Sequence, residues 1–199
     1  MNKQYDERYF QRWYHDPDSE QDLQHELQRK VALALAVSEY YLGRPVESVL
    51  DVGCGEGSWR APLLALRPGL DYRGVDASEY AVARYGAERN LHWVSFGQLA
   101  EVRFGPPVDL LVCADVMYYL SSRELRRGLS GFAELCDGVA FMEVCCAEDD
   151  VAGDDEEYHP RSARWYRKTF REFGWTACGS HCYLSPTLAP DAMALEISR

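Results

Sequence analysis

The sequence predicts an α/β fold: a three-layer α/β/α sandwich around a mostly parallel, seven-stranded sheet with a C-terminal antiparallel hairpin. Short apolar segments alternate with segments of helical periodicity along most of the 199 residues. This pattern is typical of parallel strands joined by right-handed helical crossovers. Near the C-terminus two apolar segments follow each other with no helix between them, so we expect them to pair antiparallel. The length fits one domain with a substantial core.

The N-terminal part, residues 1–45, is predicted to form a helical cap on a main domain, residues 46–199. Aromatic side chains four residues apart would share one face of a first helix: Tyr5, Tyr9 and Trp13. These rings either pack on the main domain or form a lid over its site. A second helix, residues 20–42, has apolar residues at helical spacing and ends at Gly43.

The main domain is expected to alternate strands and helices before the hairpin. The predicted strands are residues 48–52, 71–75, 91–95, 108–114, 139–144, 175–184 and 192–197. The predicted helices are residues 58–66, 78–85, a helix capped by Ser121 and ended by Asp137-Gly138, and residues 161–173. The segment VDLLVCA is a nearly continuous apolar run, broken only by Asp109, which is typical of a central strand buried on both faces.

Composition narrows the function classes. The net charge of −11 disfavours a nucleic-acid substrate, because phosphates would be repelled on average. There is no apolar run of membrane-spanning length and no signal-peptide pattern, so we expect a cytoplasmic protein without membrane contact. The seven cysteines are an odd number without a dense framework, which indicates reduced thiols, and we expect no metal.

The most informative segment is the turn after the first strand. Gly53, Gly55 and Gly57 alternate there, and glycine permits positive φ and close approach of backbone N–H groups to a ligand. A nicotinamide-binding turn would place its third glycine one residue later, and the carboxylate of Asp51 suits an ammonium group better than a pyrophosphate. Asp76, at the end of the second strand, is placed to accept both hydroxyl protons of a ribose. Together these groups describe a ligand with a ribose, an amino-acid head and no phosphate.

Three segments resemble class I S-adenosylmethionine-dependent methyltransferases of the small-molecule type, which have a Rossmann-like fold. The first motif of that family is similar to VLDVGCGEG, the second to YRGVDAS, and the fourth-strand motif with its following turn to VDLLVCADVMYYL. The resemblance covers roughly residues 46–198. It implies that the chain binds S-adenosylmethionine and methylates an oxygen or nitrogen of a small-molecule acceptor.

The resemblance also implies a set of cofactor contacts. The residues concerned are Asp51, Gly53, Cys54, Gly55, Asp76, Ala77, Phe96, Asp115 and Val116. The glycine turn would line the methionine portion, Asp76 would hold the ribose, and Ala77 would flank the adenine. Many family members have an acidic residue near the adenine amino group, where this chain has Ser95-Phe96-Gly97-Gln98. Here we expect backbone groups, Ser95 or Gln98, and stacking on Phe96 to hold the adenine.

The acceptor side is expected at the ends of strands four and five and at the helix before the hairpin. The candidate catalytic residues are Asp115, Tyr118 and His159. The candidate substrate-binding residues are Tyr9, Trp13, Tyr119, Glu143, Arg161 and Tyr166. A hydroxyl or protonated amine requires a general base. His159 has the most suitable intrinsic pKa, although it also fits an exposed loop histidine. Arg161 has the chemistry to grip a carboxylate or phosphate.

Alternatives remain open at this point. The acidic segment 148–157 is either a solvated loop or a gate that attracts a cationic acceptor or a metal. The chain is either an enzyme or a methyltransferase-like module that binds without turnover. A protein or RNA methyltransferase and a nicotinamide oxidoreductase are further alternatives. We expect a monomer or a homodimer.

Overall fold

The computed structural model describes residues 5–14, 20–150 and 157–197. The helices are α1 (Glu7–Tyr14), α2 (Glu20–Leu42), α3 (Arg60–Leu66), α4 (Glu79–Arg89), α5 (Ser122–Leu135) and α6 (Ala163–Glu172). The strands are β1 (Ser48–Val52), β2 (Asp71–Asp76), β3 (Leu91–Trp93), β4 (Val108–Ala114), β5 (Cys136–Glu143), β6 (Thr176–Gly179) and β7 (Cys182–Leu184). Short 3₁₀ turns span Phe96–Ala100, Met117–Tyr119 and Ala189–Asp191.

The seven strands form one sheet in the order β3-β2-β1-β4-β5-β7-β6. The first five strands in this order run parallel, and β7 pairs antiparallel with both β5 and β6. The predicted α/β fold with a C-terminal antiparallel pair is therefore confirmed. The strand order reverses between β1 and β4, and open parallel sheets bind ligands at such a reversal, beyond the carboxyl ends of the strands.

Helices cover both faces of the sheet. On one face, buried side chains of α5 and α6, such as Phe132 and Phe170, pack against Leu111 of β4. On the other face, Val31 of α2 and Leu63 of α3 pack with the neighbouring β4 residues. Both faces of β4 are therefore buried, which explains why its residues are apolar apart from Asp109, whose carboxylate pairs with Arg44 at 2.7 Å.

The C-terminal hairpin differs from the prediction in its boundaries. The stretch predicted as one strand, 175–184, contains both β6 and β7, because Ser180 and His181 adopt positive φ angles of 50° and 62° and reverse the chain. The predicted strand 192–197 is absent from the described structure, which forms turns there. In that segment the Glu196 carboxylate accepts hydrogen bonds from the Met193 N–H, at 2.8 Å, and from the Tyr40 hydroxyl, at 2.5 Å.

Gly138 has a different role from the one predicted. It does not end a helix, since β5 already begins at Cys136. A Cβ atom at Gly138 would lie 1.9 Å from the carbonyl oxygen of Asp109 in β4. The glycine is therefore required by the close approach of two strand backbones.

Two predicted helix starts are refined by the structure. Ser121 caps α5 as expected, accepting a hydrogen bond from the Glu124 N–H at 3.3 Å. The helix after the glycine turn begins at Arg60 rather than at residue 58, because the chain continues in turns from Gly53 to Trp59. Among the described residues, no helix is long and apolar enough to cross a membrane.

Candidate active site

A cavity of about 360 Å³ opens at the carboxyl ends of β1, β2 and β4, where the strand order reverses. Its lining residues are Tyr5, Tyr9, Phe10, Val52, Gly53, Gly55, Val75, Asp76, Ala77, Val94, Phe96, Leu99, Ala114, Asp115, Val116, Tyr119, Leu120, Glu124 and Glu157. The structure thus brings together nine predicted site residues: Tyr9, Gly53, Gly55, Asp76, Ala77, Phe96, Asp115, Val116 and Tyr119. Of these, Tyr9 and Tyr119 were predicted to bind the substrate.

The glycine turn forms one wall of this cavity. Gly53, Gly55 and Gly57 have φ angles of 71°, 52° and 79°, a region that side-chain-bearing residues rarely adopt. A Cβ atom at Gly53 would lie 2.1 Å from Cγ2 of Val116, so the turn packs directly on the residue after β4. The N–H groups of Gly53 and Cys54 donate to the Val75 carbonyl at 2.8 and 3.2 Å. These two amides therefore fix the turn to β2.

Asp76 is held in place by the same turn. Its carboxylate accepts hydrogen bonds from the N–H of Gly55 at 2.8 Å and from the N–H of Ser78 at 2.7 Å. Burial raises the pKa of Asp76, and the backbone N–H donors oppose that shift. A carboxylate has about four acceptor positions, so Asp76 keeps acceptor capacity for a hydroxyl proton beside these backbone donors.

Asp51 and Cys54 lie behind the turn and outside the cavity lining. The Asp51 carboxylate is buried and accepts a hydrogen bond from the Tyr72 hydroxyl at 2.7 Å. Burial raises the pKa of Asp51 to about 7. The Cys54 side chain packs toward β2, where a Cβ atom at Gly74 would lie 2.7 Å from its Sγ. A cofactor role for these two side chains stays a prediction.

The wall expected for adenine is apolar. Val94, Phe96 and Leu99 line it together with Ala77, and Phe96 packs on Phe132 with ring centroids 5.6 Å apart. Sequence reasoning missed Val94 and Leu99, because short apolar residues in a turn carry no motif.

The polar groups predicted to reach the adenine are engaged with each other. Ser95 donates its N–H and its hydroxyl to the Gln98 side-chain oxygen, at 2.8 and 3.0 Å. These bonds cap the 3₁₀ turn that carries Phe96.

Asp115 lies on the acceptor side of the cavity. It follows β4 with a φ of 58°, an unusual conformation for a residue with a side chain. Its N–H donates to the Glu143 carbonyl at 3.2 Å, so the tips of β4 and β5 are joined here. Burial by surrounding protein, followed by the Glu143 charge, raises the pKa of Asp115 to about 6, although solvent reaches the carboxylate through the cavity.

Glu143 lies behind Asp115, in an ion-pair network that sequence reasoning missed. Lys30 of α2 places its Nζ 2.8 Å from a carboxylate oxygen of Glu143 and 2.8 Å from one of Glu26. Although burial disfavours the charged ammonium, hydrogen bonds to the two glutamates raise the pKa of Lys30 overall. The Glu26–Lys30 spacing along α2 was a visible signal, but the contact with β5 depends on tertiary packing.

The structure places the other two catalytic candidates outside the cavity lining. Tyr118 is buried, with its ring centroid 4.3 Å from that of Tyr119 and 5.7 Å from that of Tyr158. Burial raises the pKa of Tyr118, which keeps its hydroxyl protonated. His159 is exposed, and its backbone N–H donates to the Tyr118 carbonyl at 2.8 Å. Their catalytic roles stay predictions.

Arg161 and Tyr166 also lie outside the lining. The Arg161 guanidinium is buried and donates to the carbonyls of Met117 and Leu120, to the Ser122 hydroxyl and to the Tyr166 hydroxyl. It also lies over the Trp165 ring, 5.0 Å from the centroid. Arg161 therefore holds the turn between β4 and α5, and its hydrogen bonds are directed at the protein rather than at the cavity.

The N-terminal aromatic residues cover the cavity. Tyr5, Tyr9 and Phe10 line it, and the Ser78 hydroxyl donates to the Tyr5 carbonyl at 2.6 Å, which anchors this segment next to β2. The Trp13 side chain lies outside the part of the chain that the structure describes. Within the described ranges, no three His, Cys, Asp or Glu side chains are grouped to hold a metal ion.

Residues 50–138 match the model of a methyltransferase domain family. No curated protein matches the sequence significantly. Among solved structures, magnesium protoporphyrin IX methyltransferase from Synechocystis PCC 6803 is 21% identical with a TM-score of 0.57, over 78% of this chain and 75% of that one. DesVI from Streptomyces venezuelae is 15% identical with a TM-score of 0.62, over 80% and 92%. The sugar N-methyltransferase KedS8 from Streptoalloteichus is 21% identical with a TM-score of 0.51, over 63% and 51%. At these identities the likeness establishes a shared fold.

Proposed function

We propose that this chain, which carries a methyltransferase domain, binds S-adenosylmethionine in the cavity and transfers its methyl group to an oxygen or nitrogen of a small molecule. One observation carries the proposal. The glycine turn after β1, Asp76 at the tip of β2, and Asp115 after β4 line a single cavity at the reversal of strand order. These are the groups that a nucleoside joined to an amino acid requires.

The residues present fit this ligand part by part. Asp76 has acceptor positions for the two ribose hydroxyls. The apolar wall of Val94, Phe96 and Leu99 suits the adenine ring. The backbone of Gly53 borders the space that we assign to the methionine portion.

The chain's contribution to catalysis would be positioning and exclusion of water. When bound, S-adenosylmethionine supplies an electrophilic methyl group, and its transfer is an in-line displacement that depends on orientation of the acceptor. We propose that residues 1–45 act as a cap whose Tyr5, Tyr9 and Phe10 close the cavity against water. Asp115 is the lining carboxylate at the acceptor side that is placed to take a proton.

A small acceptor is supported by this enclosure and by the absence, among the described residues lining the cavity, of the basic side chains that a phosphate backbone requires. The net charge of −11 argues in the same direction. The resemblance in fold to a sugar N-methyltransferase is consistent with a small polar acceptor.

Isothermal titration calorimetry with S-adenosylmethionine tests the cofactor site. The variant Asp76→Asn loses one charged acceptor, so we expect affinity about 10- to 100-fold weaker, the worth of one or two hydrogen bonds to a charged group. Asp71→Asn is the matched control, since Asp71 is an exposed carboxylate at the opposite end of β2. Equal affinity for the two variants would contradict the assignment of Asp76.

Activity is tested with methyl-labelled S-adenosylmethionine and deproteinised cell extract. A labelled small molecule that appears only with the wild-type protein supports the enzyme. Tight cofactor binding with no labelled product would instead indicate a binding module without turnover, and binding of a nicotinamide dinucleotide in place of S-adenosylmethionine would overturn the proposal.

A further inference from the structure

The described residues that line the cavity include four carboxylates and no Lys, Arg or His. The four are Asp76, Asp115, Glu124 and Glu157. A concave site with charges of one sign concentrates their field and favours ligands of the opposite sign. S-adenosylmethionine brings one net positive charge of its own, while Asp76 is already committed to two backbone N–H groups. On the acceptor side, the carboxylate of Asp115 lines the cavity with no lining Lys, Arg or His beside it among the described residues, which disfavours an anionic acceptor.

Aromatic rings surround the same space. Tyr5, Tyr9, Phe10 and Tyr119 contribute to the lining, and the faces of such rings attract cations within about 6 Å. Carboxylates and aromatic rings together are the chemistry that recognises an organic ammonium ion. A neutral hydroxyl would gain only a proton acceptor from these groups, whereas an ammonium ion also gains the electrostatic attraction.

Asp115 is the carboxylate best placed to act on such a cation. It follows β4 directly beside Val116, which packs on the glycine turn, so it lies where the cofactor and acceptor regions of the cavity meet. The charged groups facing it are Glu143 from β5 and Lys30 and Glu26 from α2. Lys30 is paired with both glutamates. In this group the single ammonium of Lys30 faces three carboxylates. Of these three, only the Asp115 carboxylate lines the cavity.

We propose that the methyl acceptor is an amine that enters as an ammonium ion, and that Asp115 binds it and receives its proton. This proposal rests on the methyltransferase function proposed above. The ammonium N–H bond breaks and its proton passes to an Asp115 oxygen, which frees the nitrogen lone pair. The nitrogen then forms a bond to the methyl carbon while the carbon–sulfur bond breaks, and that electron pair stays on sulfur. Asp115 afterwards releases the proton to solvent.

The first test uses deproteinised cell extract divided into two portions, one of them treated with the amine-specific reagent N-hydroxysuccinimidyl acetate. Both are incubated with wild-type protein and methyl-labelled S-adenosylmethionine. We expect a labelled product that binds a cation-exchange resin at pH 5 and is lost, by at least tenfold, from the acylated portion. A labelled product that is neutral or anionic, or that resists acylation, overturns the amine proposal and leaves the methyltransferase intact. No labelled product in either portion counts against both proposals.

The second test compares Asp115→Asn with the control Asp71→Asn on the untreated extract. Loss of a general base lowers rates by about 10²- to 10⁴-fold, so we expect such a loss of methyl transfer in the first variant and none in the control. The rate of the wild type should rise with pH as Asp115 ionises, and the variant should lack this rise. Urea denaturation should give both variants the wild-type unfolding midpoint, which shows that Asp115→Asn is folded. A variant that binds the cofactor and methylates at the wild-type rate overturns the role of Asp115.

Discussion

Replacement of Arg161 by methionine separates two roles for this residue, a substrate contact and a support for the cavity wall. In the structure its guanidinium donates to the carbonyls of Met117 and Leu120 at 3.3 and 2.5 Å, and to two hydroxyls at 3.1 and 3.2 Å. The side chain is 8% exposed. Methionine keeps much of the volume but removes the guanidinium donor from the Leu120 carbonyl and leaves the Met117 carbonyl with only the Leu120 N–H, at 3.3 Å.

The magnitude follows from these contacts. A buried polar group left without its partner costs about 1–3 kcal/mol, and loss of the cation's own desolvation penalty returns part of this. We expect Arg161→Met to lower the free energy of unfolding by about 2–4 kcal/mol. Arg161→Lys, which keeps the charge but not the planar fork, should give a smaller loss. Arg164→Met is the matched control, because Arg164 is exposed on α6, and it should change stability by less than about 0.5 kcal/mol.

The assay is urea denaturation followed by circular dichroism, with the S-adenosylmethionine affinity measured in parallel. Since Tyr119 and Leu120 of the supported turn line the cavity, ligand binding should weaken together with stability. The reasoning is refuted if Arg161→Met unfolds at the same urea concentration as the control. Unchanged stability with selective loss of acceptor binding would show instead that Arg161 contacts the substrate.

Two further predictions concern the glycine turn and the carboxylate behind it. Gly53→Ala adds a clash 2.1 Å from Val116 to the strain of a φ of 71°, so it should cost about 2–5 kcal/mol. Gly43→Ala is the control, because Gly43 has a similar φ of 67° and no atom within 4 Å of the new Cβ, so this variant reports the backbone strain alone. If denaturation shows that both variants lose the same free energy of unfolding, the proposed clash with Val116 is refuted. Asp51 has a folded pKa of about 7 against an ordinary value of 3.8. The folded carboxyl therefore keeps a proton that the unfolded one releases, and stability should fall as pH rises from about 4 to about 7. Asp51→Asn keeps an acceptor for Tyr72, and its stability in denaturation titrations should not fall over this pH range. If the variant shows the same pH dependence as the wild type, Asp51 is not its cause.

The sequence pattern predicted the fold best where burial alone determines the structure. Both ends of β4 were predicted correctly, because a segment of seven residues, apolar except for Asp109, is bounded by Pro107 and Asp115. The hairpin was predicted less well, since apolar residues on both sides of Ser180-His181 favoured one long strand. Gly138 was misread because a helix stop and a close approach of two strands require the same residue.

The cofactor side and the acceptor side of the cavity also differ in how well the sequence predicted them. Cofactor-side residues such as Gly53 and Asp76 belong to the local strand–turn units, so their positions follow from sequence order. Acceptor-side residues are assembled by tertiary packing: Lys30 comes from a helix more than a hundred residues before its partner Glu143. Glu124 and Glu157, which line the cavity, carry no motif either. The spacing of residues along the sequence does not predict such tertiary contacts.

The segment around residues 157–161 connects these observations. The sequence pointed to His159 and Arg161 as groups that act on the substrate. In the structure both bind the turn after β4, His159 through its N–H to the Tyr118 carbonyl and Arg161 through its side chain. Glu157, two residues earlier, lines the cavity at a φ of 62°. A segment fixed at one end by a buried guanidinium presents its other end to the ligand. Any change that frees Arg161 from the turn should therefore displace both Tyr119 and Glu157 from the cavity lining.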